Sequence, residues 1–293
     1  HLLNQGVKVG ALTRNAEKAA DLRKMGAKLK AAYDQAAIEV IEGDVVLALV
    51  AGAPARLYRS ADGGATWRCV HEDPRVDAFL DAMAFDGDRG VVFGDAIRDR
   101  FVLLASKDAG ASWRDVPTPG LPAPGIGEAA FAASGTCVSV GPTSFSLVTG
   151  GELCRYVAFE PGRRPSSVDL PMQSGAPSQG AFSVAWRGVR GVCVGGDYRN
   201  PDLAEGSAAV TEDGGATWSP ADVGGYRSCA VWLSDRDVLA VGPQGASWSE
   251  DGGRTYTVFG AEAFHSVARA PDGAVWACGS RGRAGMLLST GER

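Results

Sequence analysis

The sequence predicts an all-β fold: a β-propeller of four-stranded antiparallel blades. Three observations carry this reading. A short box recurs four times, a second apolar pattern runs in phase with it, and glycine is abundant. Glycine accounts for 40 of 293 residues, about 14% against an average near 7%. With the 15 prolines, breakers at this density exclude a mainly helical bundle and favour short strands joined by many turns.

The box fixes the repeat. Ser60–Trp67 reads SADGGATW, Ser106–Trp113 reads SKDAGASW, Thr211–Trp218 reads TEDGGATW and Ser249–Tyr256 reads SEDGGRTY. The acids Asp62, Asp108, Asp213 and Asp251 are therefore 46, 105 and 38 residues apart. The step of 105 is two repeats of about 52, so a box belongs near residue 160. The chain there reads Phe159-Glu160-Pro161-Gly162, a turn without the acid or the aromatic.

Each box reads as a staple between two outer strands. The carboxylate of Asp62, Asp108, Asp213 or Asp251 accepts backbone N–H groups across a tight turn. Gly64, Gly110, Gly215 and Gly253 allow positive φ. Trp67, Trp113, Trp218 and Tyr256 pack over the turn and fix the returning strand. These residues are structural in this reading, not catalytic.

The second pattern supplies the inner strands. Apolar runs begin near Phe79, Ile126, Phe182, Tyr226 and Phe264. Each is followed by a strand ending in V-x-x-G or a close variant, at Gly94, Gly141, Gly195, Gly242 and Gly279. The unit is strand, strand, strand, box turn, strand. Four strands in about 40–50 residues is the length of a propeller blade. Six units are legible, starting near Ile38, Phe79, Ile126, Phe182, Tyr226 and Phe264, and the last lacks its outermost strand. A ring leaves no raw edge, and Val7–Leu12 is the candidate closing strand.

The segment before residue 38 has a different texture. Residues 2–27 read LLNQGVKVGALTRNAEKAADLRKMGA, a strand followed by a helix with Asn15 as its N-cap. The sequence thus divides into a strand-helix segment, 1–37, and a propeller, 38–293.

Charge and cysteine usage narrow the function. The net charge of -5 lacks the basic footprint of a nucleic-acid binder, and no apolar run is long enough to span a bilayer. Cys69, Cys137, Cys154, Cys193, Cys229 and Cys278 form no C-x-x-C pair, and the three histidines supply no zinc spacing. No cofactor or metal is expected. Cys137, Cys193 and Cys278 read as small buried thiols on inner strands.

Propeller geometry then gathers a candidate site. Loops leading into the innermost strands share a face with loops leaving the second strands, and the box turns lie on the opposite face. That brings Asp81, Glu128, Arg227 and His265 to one mouth of the central channel. Asp95, Arg98, Asp197, Tyr198, Arg199 and Arg281 join them, with Asp99, Arg100, Asp202 and Arg283 around the rim. Mixed charge with an aromatic suits polar recognition. The loop Asp197–Asp202 is the longest of the set and the leading candidate for partner contact.

The four boxes resemble the Asp-box, or BNR-repeat, propellers related to the photosystem II stability/assembly factor. The resemblance extends to Phe79–Phe85, Gly127–Thr136, Gly195–Tyr198, Gly225–Ser228 and Phe264–Ala268, and covers residues 38–290. The family is usually seven-bladed. It implies a non-enzymatic, monomeric scaffold that binds a protein partner of a membrane-associated complex, in an extracytoplasmic compartment; no signal peptide is read in this chain. Residues 1–30 resemble a fragment of an NmrA-like NAD(P)-binding domain, with Arg14 after the strand and without the glycine-rich phosphate turn. Two alternatives stay open. One is a sialidase-like glycoside hydrolase, in which Arg98, Arg227 and Arg281 imitate an arginine triad beside Tyr198, although the Arg-Ile-Pro motif of such enzymes is missing. The other is an oxidoreductase, resting on the N-terminal fragment.

Overall fold

The computed structural model describes residues 7–9, 35–40, 45–52, 54–118, 120–121, 123–270, 273–280 and 283–287. They form an all-β structure of six sheets. The helix expected after Asn15, and Arg14 with it, lie outside the described residues.

Successive sheets follow the chain. The first contains β1 (Val7–Val9), β2 (Gln35–Val40), β3 (Val46–Ala51), β4 (Ala55–Ser60) and β5 (Arg68–Asp73). The second contains β6 (Leu80–Asp86), β7 (Arg89–Ile97), β8 (Arg100–Ser106) and β9 (Arg114–Asp115). The third is β11 (Val138–Val140), β12 (Phe145–Val148), β14 (Arg155–Phe159) and β15 (Ser166–Asp169); the short strands β10 (Glu128–Ala129) and β13 (Gly150–Gly151), which precede β11 and β14 in the chain, lie outside it. The fourth runs β16 (Gln179–Arg187), β17 (Arg190–Asp197), β18 (Ala208–Thr211), β19 (Ser219–Ala221), and β13 and β10 extend it past β16. The fifth is β20 (Cys229–Trp232), β21 (Val238–Gly242), β22 (Gly245–Ser249) and β23 (Thr257–Gly260). The sixth holds β24 (Ser266–Arg269), β25 (Val275–Cys278) and β26 (Ala284–Leu287), three strands among the described residues.

First strands of consecutive sheets touch in order: β2 with β6, β6 with β11, β11 with β16, β16 with β20 and β20 with β24. That succession of radial antiparallel sheets is a β-propeller. Its core lies between blades: Leu47, Leu49, Leu57, Leu80, Val92 and Leu104 pack between the first two, and Val192, Val210, Trp232 and Val238 between the fourth and fifth. Cys137, Cys154, Cys193, Cys229 and Cys278 are buried cysteines outside any disulfide, and Cys69 is exposed.

The glycine of V-x-x-G has a steric cause. A Cβ on Gly94 would sit 2.2 Å from the Phe79 carbonyl oxygen, one on Gly195 1.9 Å from that of Gly180, and one on Gly242 2.6 Å from that of Tyr226. Gly279 is equally constrained, at 2.4 Å from the Ala263 carbonyl oxygen. The second strand leans onto the backbone of the first, and only glycine fits there.

Two expectations are corrected. The third blade does not begin near Ile126: its innermost strand is β11, so Val138–Gly141 is the first strand and not the second. Gly141 accordingly has no close backbone neighbour, the nearest being the Ser144 carbonyl oxygen at 3.7 Å. The lost box still falls in phase, because Glu160–Arg163 turns between β14 and β15 and Arg163 N–H donates to the Glu160 carbonyl at 3.2 Å. Val7–Val9, the described part of the supposed closing strand, pairs parallel with β2 in register Val7 to Ala36 and is not in the sheet of β26.

Candidate recognition face

Each box closes its turn with the same bonds. Asp62 Oδ1 accepts the Thr66 N–H at 2.9 Å, its Oδ2 accepts the Thr66 hydroxyl at 2.6 Å, and Ser60 Oγ accepts the Gly64 N–H at 2.8 Å. Asp108 holds Ser112 at 2.9 and 2.6 Å, Asp213 holds Thr217 at 2.9 and 2.6 Å, and Asp251 holds Thr255 at 3.0 and 2.6 Å. Hydroxyl and backbone donors stabilise the charged form, so the carboxyls of Asp62, Asp108 and Asp213 are pulled down to about 2. Gly64, Gly110, Gly215 and Gly253 have φ between 74° and 93°. Trp67 and Trp113 donate their indole N–H back to the carbonyls of Gly64 and Gly110, at 2.8 and 3.2 Å.

Strand register sets the opposite face. Leu80 pairs with Gly94, Gln179 with Asp197, Cys229 with Val241 and Ser266 with Cys278. The start of each innermost strand therefore lies beside the end of its second strand. The boxes sit at the other end, as in the pairing of Gly90 with Ser106.

The predicted residues on this face divide into two groups. Asp81 is buried, Asp197 is buried, and Arg227 is among the largest fully buried side chains. Glu128 is also buried: its Oε1 accepts Arg155 Nε at 2.8 Å and Thr149 Oγ1 at 2.6 Å, and its Oε2 accepts Arg155 Nη2 at 2.5 Å and the Gly125 N–H at 2.8 Å. Placement at a strand head for Asp81, Glu128 and Arg227, and at a second-strand exit for Asp197, suggested side chains open to the channel mouth. The register shift at Asp81, between Leu80 and Ala82, and the short β10–β13 ladder that covers Glu128 turn them inward. Arg227 donates to Ser247 Oγ at 3.1 and 2.9 Å and to the Tyr226 carbonyl at 2.9 Å, and burial pulls its guanidinium below the usual range. Asp95 accepts the Ala130 N–H at 3.0 Å, and burial pushes its carboxyl up. Burial also pushes Asp197 up, but bonds from Ser178, the Arg199 N–H and Gln179 outweigh it and leave the carboxyl lowered.

Arg98, Tyr198 and Arg199 form the exposed group, with Asp99, Arg100, Asp202 and Arg283. His265 is half-buried, with its N–H on the Cys278 carbonyl at 2.7 Å. Arg281 lies outside the described residues. Among the described residues, no group of three histidine, cysteine or acidic side chains could hold a metal.

The loop after β17 is anchored along its length. Tyr198 N–H donates to Ser178 at 3.2 Å, the Pro201 carbonyl accepts the Tyr226 N–H at 2.8 Å, and Gln173 Nε2 donates to the Leu203 and Glu205 carbonyls at 3.1 and 2.6 Å. Behind it stands an aromatic cluster that the sequence reading did not assemble. Phe131 stacks on Phe182 at 3.8 Å, Phe182 meets Tyr226 edge-on at 4.9 Å, and Tyr198 meets both, at 6.2 and 6.4 Å. Its only signal was an aromatic near the head of two inner strands. Tyr198 is 45% exposed, so the cluster presents that ring to solvent, with the exposed Arg199 next to it in the chain.

No helix among the described residues is long and apolar enough to cross a membrane. No protein-family profile matches the chain, and no curated protein matches it. Solved structures similar to it include YCF48 bound to D1 peptide, at 15% identity over 88% of this chain and 98% of that one, with a TM-score of 0.43. YCF48 from Cyanidioschyzon merolae shares 16% identity over 84% and 93% of the two chains, with a TM-score of 0.42. Penicillium chrysogenum α-L-arabinanase complexed with arabinobiose shares 14% over 86% and 91%, with a TM-score of 0.48. At these identities and scores, the similarities assign no function.

Proposed function

We propose that this chain is a non-enzymatic propeller scaffold that recognises a protein partner through the face carrying Tyr198. One observation carries the reading: Tyr198 stands half-exposed on an anchored loop, backed by Phe182 and Tyr226 and followed in the chain by the exposed Arg199. Exposed, preorganised aromatics beside arginine are the side chains that anchor protein interfaces. The buried carboxylates of the face support the same reading, since Glu128 and Asp197 are committed to internal donors. The sequence resemblance extends the proposal to a monomer acting on a membrane-associated, extracytoplasmic assembly of the photosystem II factor kind.

The test is a pull-down with the intact chain and with Tyr198→Ala. Loss of a captured partner with unchanged thermal unfolding supports the proposal, and equal capture by both proteins refutes it. Asp95, with its carboxyl pushed up by burial, is the feature that favours a glycoside hydrolase. That reading requires turnover of a fluorogenic sialoside, abolished in Asp95→Asn.

A further inference from the structure

Three box turns seat on the blade before them. A Cβ on Gly110 would meet Leu47 at 2.3 Å, one on Gly215 the Tyr156 ring at 2.4 Å, and one on Gly253 Val192 at 2.5 Å and Val210 at 3.2 Å. The third blade has lost its box. Its turn glycine, Gly162, has nothing within 4 Å of a Cβ position. The wall on which no box turn seats belongs to the second blade, where Val91 is buried in the core and Ala105 is partly exposed. Val91 pairs with Ala105 there as Val192 pairs with Val210 in the fourth blade, so Val91 and Ala105 are the counterparts of the surface on which Gly253 rests.

Two adjoining cavities of about 530 and 510 Å³ occupy this vacated socket, and they share Arg89, Val116, Pro117 and Phe145. Val91 and Ala105 line the first. The stacked pair Phe145–Phe159, 4.3 Å apart, lines the second. The rims are cationic: Arg89, Lys107, Arg114, Arg163 and Arg164 stand against Asp108, Asp115 and Glu160. Glu160 pairs with Arg163 at 2.9 Å, and Asp108, bonded only to the neutral Ser106 and Ser112 hydroxyls, keeps its charge, so five cations face three carboxylates. Arg89 donates to the carbonyls of Gly141 and Pro142, which leaves its charge uncompensated. This concentration of positive charge stands out on a chain of net charge -5.

We propose that this socket between the second and third blades binds an acidic, glycine-containing turn of a partner protein. The wall fits a glycine backbone, because its counterpart already holds one, and the rim supplies charge complementarity for carboxylates. The site is on the box side of the molecule and does not depend on the Tyr198 face.

The test uses a dye-labelled twelve-residue peptide with a Thr-Glu-Asp-Gly-Gly-Glu core, read by fluorescence polarisation on the full chain. Saturable binding is expected, weakening with salt. Arg114→Glu combined with Arg164→Glu, both exposed residues, should weaken it by about tenfold or more. Ala105→Trp, which fills the socket without changing charge, should do the same, and Tyr198→Ala should leave binding unaltered. Several results overturn the proposal: no saturable binding, equal binding of the peptide with every acid changed to its amide, unchanged binding in both socket variants, loss in Tyr198→Ala, or binding of an oligothymidylate in place of the peptide.

Discussion

Replacing Arg155 with methionine tests whether Glu128 holds the fold or serves the recognition face. The Glu128 side chain is fully buried and that of Arg155 is 7% exposed. Two of the four hydrogen bonds to the Glu128 carboxylate come from Arg155, at 2.8 and 2.5 Å. The variant keeps the Thr149 and Gly125 donors and leaves a buried charge without its counter-ion. Breaking such a pair costs about 3–5 kcal/mol. At roughly 2–4 °C per kcal/mol for a domain of this size, the melting temperature should fall by about 6–20 °C. Glu128→Gln should cost a comparable amount by stranding the guanidinium. The double variant Glu128→Leu with Arg155→Met should recover most of the loss, because a well-packed apolar pair is often neutral relative to a buried ion pair. Urea unfolding followed by tryptophan fluorescence measures all three. A loss below about 1 kcal/mol in Arg155→Met, within the range of exposed ion pairs, would refute the argument and return Glu128 to the list of candidate contacts.

Three further outcomes are expected. Gly215→Ala should destabilise by about 2–4 kcal/mol in urea titration, since φ is 91° and the new Cβ meets the Tyr156 ring. Ala109→Gly should stabilise by about 0.5–1 kcal/mol, because Ala109 sits at φ 52° in the box position that is Gly63 in the first repeat; a destabilised variant would show that the strain is illusory. In acid, Asp62, Asp108 and Asp213 titrate near 2 when folded and near 3.8 when unfolded. The unfolded chain then binds more protons between these values, so their contribution is complete above pH 4 and is lost as pH falls toward 2. Urea midpoints at pH 2 to 6 should show that fall, and Asp213→Asn should flatten it.

The boxes made the blade count legible because each turn depends on a local set of donors within six residues. The third blade misled because Val138-Ser139-Val140-Gly141 spells the same pattern as Val192-Cys193-Val194-Gly195. Only the close approach to a neighbouring backbone separates them, at 1.9 Å for Gly195 and 3.7 Å for Gly141, and that is a property of packing. Position along a strand was legible, and exposure was not. Asp81 and Arg227 lie at the heads of β6 and β20, yet both are buried, beside a register shift at Asp81 and with Arg227 bonded to Ser247, twenty residues away. Nothing in the spacing pointed to Arg155 as the partner of Glu128.

Side chains join the blades near the hub. Thr136 donates its hydroxyl to Ser183 at 2.8 Å and contacts Cys229 Sγ at 3.6 Å, while Ser183 accepts the Ala230 N–H at 3.2 Å. Ser183 and Cys229 are completely buried, so residues from three blades interlock at one level of the axis. At that level these side chains rivet the third, fourth and fifth blades directly to one another.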